Sequence, residues 1–114
     1  MKLVRASRLQ FVVAILWVAA IAGAAETADP HLQRGNDLAS QKNWDAAIAE
    51  YREALRLNPG FALAHYNLGD ALRLGGDRAA AASEFRDFLR LAPQNTQFNE
   101  RMERARNILA ELEK

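Results

Sequence analysis

The chain has 114 residues, half of them hydrophobic and a quarter charged, which suits one small globular domain. It contains no cysteine, and this excludes a disulfide framework, a thiolate metal site, a thiol redox centre and a lipid-carrying cysteine. The formal net charge of +1 hides an asymmetry: all three charges in residues 1–25 are basic, so residues 26–114 carry 12 Lys/Arg against 14 Asp/Glu, a net of −2. Such a surface gives a polyphosphate backbone no long-range attraction, so nucleic-acid binding is not expected.

Residues 1–25 read as an export signal. Lys2, Arg5 and Arg8 form a basic start, residues 11–22 (FVVAILWVAAIA) are continuously apolar, and Ala22-Gly23-Ala24 supplies small residues for cleavage. The alternative is an uncleaved membrane anchor. The 15 residues 11–25 would make about 22 Å of helix, short of the roughly 30 Å hydrocarbon core, which favours cleavage. Either outcome places the remainder outside the cytoplasm. The periplasm is the expected compartment, and an inner-membrane anchor facing it is the alternative.

Residues 26–29 form a polar joint, with Asp29 as a capping carboxylate and Pro30 at the first helical position. The first helix is expected over 30–41. A turn at Lys42-Asn43 leads to a second over 44–57, whose apolar stripe is Trp44, Ala47, Ile48, Tyr51, Ala54 and Leu55. Asn58-Pro59-Gly60 ends it. A third helix over 62–74 presents His65, Leu68, Gly69 and Leu72 on one face and Leu63, Tyr66, Asn67, Asp70 and Arg73 on the other. Gly75-Gly76 turns the chain, and Asp77 caps a fourth helix that runs to Leu91 and buries Ala81, Ala82, Phe85, Phe88 and Leu89. A last helix over 96–113 carries one narrow seam, Phe98, Met102, Ala105, Leu109 and Leu112, in a polar surround suited to the end of a stack.

These helices repeat. At an offset of 34 residues, His31, Gly35, Leu38, Ala47, Leu55, Leu57 and Pro59 recur as His65, Gly69, Leu72, Ala81, Leu89, Leu91 and Pro93. Tyr51 recurs as Phe85, and Glu50 and Arg52 as Glu84 and Arg86. A 34-residue helix–turn–helix period is the signature of one stacked-repeat architecture. The residues resemble the tetratricopeptide repeat family, whose pattern runs W-x2-L-G-x2-Y, then A-x3-F, then P. The second copy supplies His65, Leu68, Gly69, Leu72, Ala81, Phe85 and Pro93. The first supplies His31, Arg34, Gly35, Leu38, Ala47, Tyr51 and Pro59. Both depart from the pattern where His replaces Trp, and the first where Arg34 replaces Leu.

The resemblance implies an all-α fold of antiparallel helix hairpins stacked as a short right-handed α-solenoid of five helices after a leader helix. The plan is then 1–25 signal peptide or anchor, 26–29 joint, 30–61 first repeat, 62–95 second repeat and 96–114 capping helix. In such arrays the first helix of each repeat lines a concave groove for an extended peptide or a partner's helix. By position, the resemblance places Asn36, Tyr66, Asn67, Asp70, Arg73, Arg101 and Arg104 on that groove, with Leu32 and Leu63 as further apolar contacts. One branch of the family clamps a peptide's terminal carboxylate. Asn36, Asn67 and Arg101 stand at matching places here, but Leu32 and Gln97 replace the clamp's lysines, which argues against that use.

No catalytic constellation accompanies these features. The phosphate-cradling, dinucleotide, zinc-protease and nucleophile-elbow patterns are all missing. His31 and His65 fill places that the family gives to a large aromatic, and with no carboxylate or cysteine at ligand spacing beside them, no metal is expected. Glu50/Glu53 and Glu100/Glu103 sit among arginines at helical neighbour spacing, the pattern of a solvated surface. The expectation is a non-catalytic module without cofactor or metal that binds a protein or peptide. Its alternative is a structural subunit or membrane-tethered assembly factor, self-associating at the edge of its first repeat; a membrane enters only if the leader is retained. That edge is suspected because about three repeats are generally needed for independent stability.

Overall fold

Each repeat has an apolar stripe on both of its helices, and the computed structural model, described here for residues 27–114, hides those stripes by folding each repeat as a hairpin. Five helices follow one another: α1 Ala28–Ser40, α2 Trp44–Leu57, α3 Ala62–Leu74, α4 Arg78–Leu91 and α5 Thr96–Leu112. The described residues contain no strand. α1 packs on α2 and α3 on α4 within the repeats, α2 on α3 between them, and α5 closes against α4. The result is the expected solenoid-like stack. None of the described helices is long and apolar enough to cross a membrane, and the leader expected over 1–25 lies outside the described residues.

The core is continuous through the stack. Tyr51, Leu68, Phe85 and Phe88 are its largest fully buried side chains. In the second repeat Tyr66 meets Phe85 edge-on at 5.8 Å and Phe88 at 5.0 Å, and Phe88 meets Phe98 at 6.3 Å. Three aromatic contacts thus tie α3, α4 and α5 together, each adding of order 1 kcal/mol beyond the area it buries. Burying one Phe contributes about 3 kcal/mol, so Phe88, which touches both Tyr66 and Phe98, is the side chain whose loss would most loosen α5.

The helix ends follow the local chemistry, with two departures from expectation. α1 begins at Ala28 rather than Pro30. Thr27 takes the cap position in an extended conformation without a side-chain cap bond, and Asp29 lies in the first turn. A carboxylate there still favours the positive end of the helix dipole, and Pro30 in that turn removes an amide that has no helical partner. The first hairpin turn holds Lys42 at φ 60, where the second uses Gly76 at φ 98. Both close the same way: Asn43 and Asp77 donate their amides to the Leu38 and Leu72 carbonyls at 3.0 and 2.9 Å. Asp77 caps α4 as expected, its carboxylate accepting from the Ala80 amide at 3.1 Å.

Three packing expectations are corrected. Leu55 and Leu89 are half-buried at the margin of the core. On α5, Ile108 rather than Leu109 packs against the core; it stands three residues after Ala105 and four before Leu112, on the face those two share. Trp44 is also only half-buried, and it flanks the cleft between the repeats.

Candidate functional site

Helices α1, α3 and α5 share one face of the stack, and two clefts open on it. The larger, about 380 Å³, lies between α3 and α5 and is lined by Tyr66, Asn67, Gln97, Glu100, Arg101 and Arg104. The smaller, about 130 Å³, lies where α1 and α2 meet α3, lined by residues that include Asn36, Trp44, Tyr51, Asn67, Asp70 and Leu74. Asn67 belongs to both and joins them.

A polar chain holds that joint. Asn36 Oδ1 accepts from the Tyr51 hydroxyl at 2.8 Å and from Asn67 Nδ2 at 2.9 Å. Burial, reinforced by the negative charge of Asp70, pushes the Tyr51 phenol up to about 12, so it stays a donor at any physiological pH. One turn along, Asp70 accepts from Arg73 at 2.7 Å and faces Arg104 at 3.7 Å. Arg101 has no ion-pair partner among the described residues.

The seven residues expected on the groove are therefore distributed as follows. Asn36, Tyr66, Asn67, Asp70, Arg101 and Arg104 line the two clefts. Arg73 holds Asp70 and turns instead toward a third hollow of about 600 Å³ beside the end of α5, with Arg78, Ile108 and Leu112. This hollow is the largest of the three, but it borders the helix end that Arg78 caps through the Glu111 and Leu112 carbonyls, away from the joined clefts. Tyr66 is 7% exposed, with its ring in the aromatic core, so it floors the cleft rather than projecting into it. Leu32, at 4% exposure, is a core residue and not an open contact. Gln97, which stands at a clamp-lysine place, lines the larger cleft, and Glu100 and Trp44 are cleft residues that a reading by repeat position overlooks.

The histidines carry a second surprise. His31 Nδ1 lies 2.7 Å from Glu50 Oε2, and His65 Nδ1 lies 2.6 Å from Glu84 Oε2. The carboxylate missing along each histidine's own helix comes from the opposing helix, 19 residues on. Glu50 is thus not simply a solvated surface acid: the hydrogen bond from His31, helped by Arg34, holds it below its usual range. His65 is raised, first by its bond to Glu84, against a desolvation cost. Its other nitrogen, Nε2, donates to the Pro59 carbonyl at 2.9 Å.

A family model of the TPR repeat matches residues 35–75, and one of the tetratricopeptide repeat matches residues 62–95. The chain belongs to the tetratricopeptide repeat family. The solution structure of protein BPP2914 from Bordetella parapertussis is similar to it, with a TM-score of 0.64 and 26% identity over 83% of this chain and 82% of that one. The chain is also 44% identical over 39 residues to the Hsp70-Hsp90 organising protein of Plasmodium falciparum. That match takes in 34% of this chain and 7% of the organising protein. In repeat terms, the joined clefts lie on the first helices of the two tetratricopeptide repeats and on the helix that follows them.

Proposed function

We propose that this tetratricopeptide repeat protein is a non-catalytic interaction module that holds an extended peptide or a partner's helix across the face of α1, α3 and α5. The observation that carries the reading is Asn67. Its side chain is fixed by Asn36, itself fixed by Tyr51, at the point where the two clefts join. A pre-oriented amide can bond a partner's backbone without further ordering cost, and Arg101 beside it can meet a carboxylate or carbonyl. Similarity to a protein named for organising two others supports protein binding as the task.

Residues 1–25 would export this module to the periplasm, or tether it to the inner membrane if they are retained. Mass spectrometry of the native N-terminus distinguishes the two. The groove reading is tested by crosslinking pull-down from the envelope fraction with the full chain and with Asn67→Ala/Arg101→Ala. Loss of the captured protein in the double variant supports the reading, and undiminished capture contradicts it.

A further inference from the structure

We propose that His65, Glu84 and Asp87 form a divalent-metal site of the zinc class that pins α3 to α4 in the second repeat. Each residue offers one ligand atom, and the three atoms lie within 4.8 Å of one another. A four-coordinate zinc, at about 2.0–2.2 Å from nitrogen and oxygen ligands, needs its ligands about 3.3 Å apart, with water in the fourth position. The His65–Glu84 pair at 2.6 Å must open slightly, with Asp87, within 4.8 Å of both, completing the set. Both carboxylates sit on one face of α4, at i and i+3.

The second shell suits the ion. His65 Nε2 donates to the Pro59 carbonyl at 2.9 Å, which orients the ring and leaves Nδ1 as the nitrogen facing the carboxylates. A metal-bound histidine commonly uses its other nitrogen in this way. The metal would take the place of the hydrogen now shared between Nδ1 and Glu84.

The first repeat acts as an internal comparison. Its equivalents are His31, Glu50 and Glu53, and there the cationic place is filled by protein. Arg34 lies 2.9 Å from His31 Nδ1 and 3.3 Å from Glu50, while Arg56 grips Glu53 at 2.5 to 3.0 Å through two nitrogens. In the second repeat the counterpart of Arg34 is Leu68, which is buried. Arg90, the counterpart of Arg56, makes one 3.2 Å contact to Asp87, with its side chain 68% exposed. The second repeat keeps the three ligands and lacks the guanidinium that stands among them in the first.

The test is a titration of the tag-free, chelator-treated full chain with zinc chloride, followed by calorimetry and by thermal unfolding. One saturable site in the micromolar range is expected, with a rise in Tm on zinc addition. Asp87→Asn and Glu84→Gln should weaken it by about tenfold or more and abolish the rise in Tm. Glu53→Gln should leave both unchanged. Circular dichroism verifies that Asp87→Asn, a change at a partly exposed position, remains folded. Cobalt(II) offered in place of zinc should give the intense visible bands of a four-coordinate ion. The proposal is overturned by absence of saturable binding, by equal affinity in Asp87→Asn, or by loss of binding in Glu53→Gln.

Discussion

The ring of Tyr51 lies so close over Gly35 that a Cβ built on the glycine would stand 2.4 Å from Cε1, whereas the equivalent Gly69 would put its Cβ 3.1 Å from the Phe85 ring. The first contact requires a fully buried ring to shift, and the second only asks it to yield slightly. Gly35→Ala is expected to lose about 2 kcal/mol net of any helix-propensity gain. For Gly69→Ala the gain of about 1 kcal/mol from replacing glycine in a helix nearly offsets the crowding, so its stability should stay within about 1 kcal/mol of wild type. Chemical denaturation of the pair measures the difference; equal effects would mean the repeats pack alike at this level.

Hairpin turns supply a second comparison. Lys42 and Gly76 both occupy the left-handed region, and a Cβ on Gly76 would meet nothing within 4 Å, so backbone strain is the only cost of a side chain there. Lys42→Gly should gain, and Gly76→Ala should lose, about 0.5–1 kcal/mol. For a chain of this size that is a change in Tm of several degrees, read by a thermal melt.

Removing the Tyr51 hydroxyl takes away one of the two bonds that hold Asn36. Tyr51→Phe should cost about 1 kcal/mol near neutral pH. Because burial raises the folded phenol from 10.0 to about 12, the unfolded chain deprotonates first. This contribution to stability is therefore complete below pH 10 and is lost as pH climbs through about 12. Wild type should lose stability over that window faster than Tyr51→Phe, as followed by denaturant midpoints at successive pH values.

Glu50 gives the opposite pH dependence. Its hydrogen bond from His31 holds the folded carboxyl below 4.5, so the stabilisation is present above that value and disappears as pH falls through the lower folded value. The group is partly exposed, and the effect should be under about 1 kcal/mol. Glu50→Gln should narrow toward wild type under acid and differ from it most above pH 4.5. A constant difference at all pH values would remove the ionised carboxylate from the explanation.

Much of this fold is legible because the same local rules appear twice. The limits of α2 and α3 follow from apolar spacing and from Pro59 and Gly75, and Asp77 announces α4. The left-handed Lys42 is not legible, since no glycine marks it; only its alignment with Gly76 hints at the conformation. The start of α1 shifts by two residues because a proline tolerated anywhere in the first turn does not single out one position. The His–Glu pairs escape a search along each helix, since the partner arrives from the opposing helix. The recurrence of both His31/Glu50 and His65/Glu84 at the same offset was the available signal. Tyr66 and Leu32 fall on the groove side by repeat position, yet both are buried in the core, Tyr66 against the Phe85 and Phe88 rings of α4.

The most direct test of the proposed groove is photo-crosslinking in the native host, with a photoreactive residue placed at Gln97 or Arg101 in the cleft and, as comparison, at Arg52 on the exposed face of α2. The account predicts partner adducts from 97 and 101 and none from 52. Adducts from 52 with none from the cleft would contradict it.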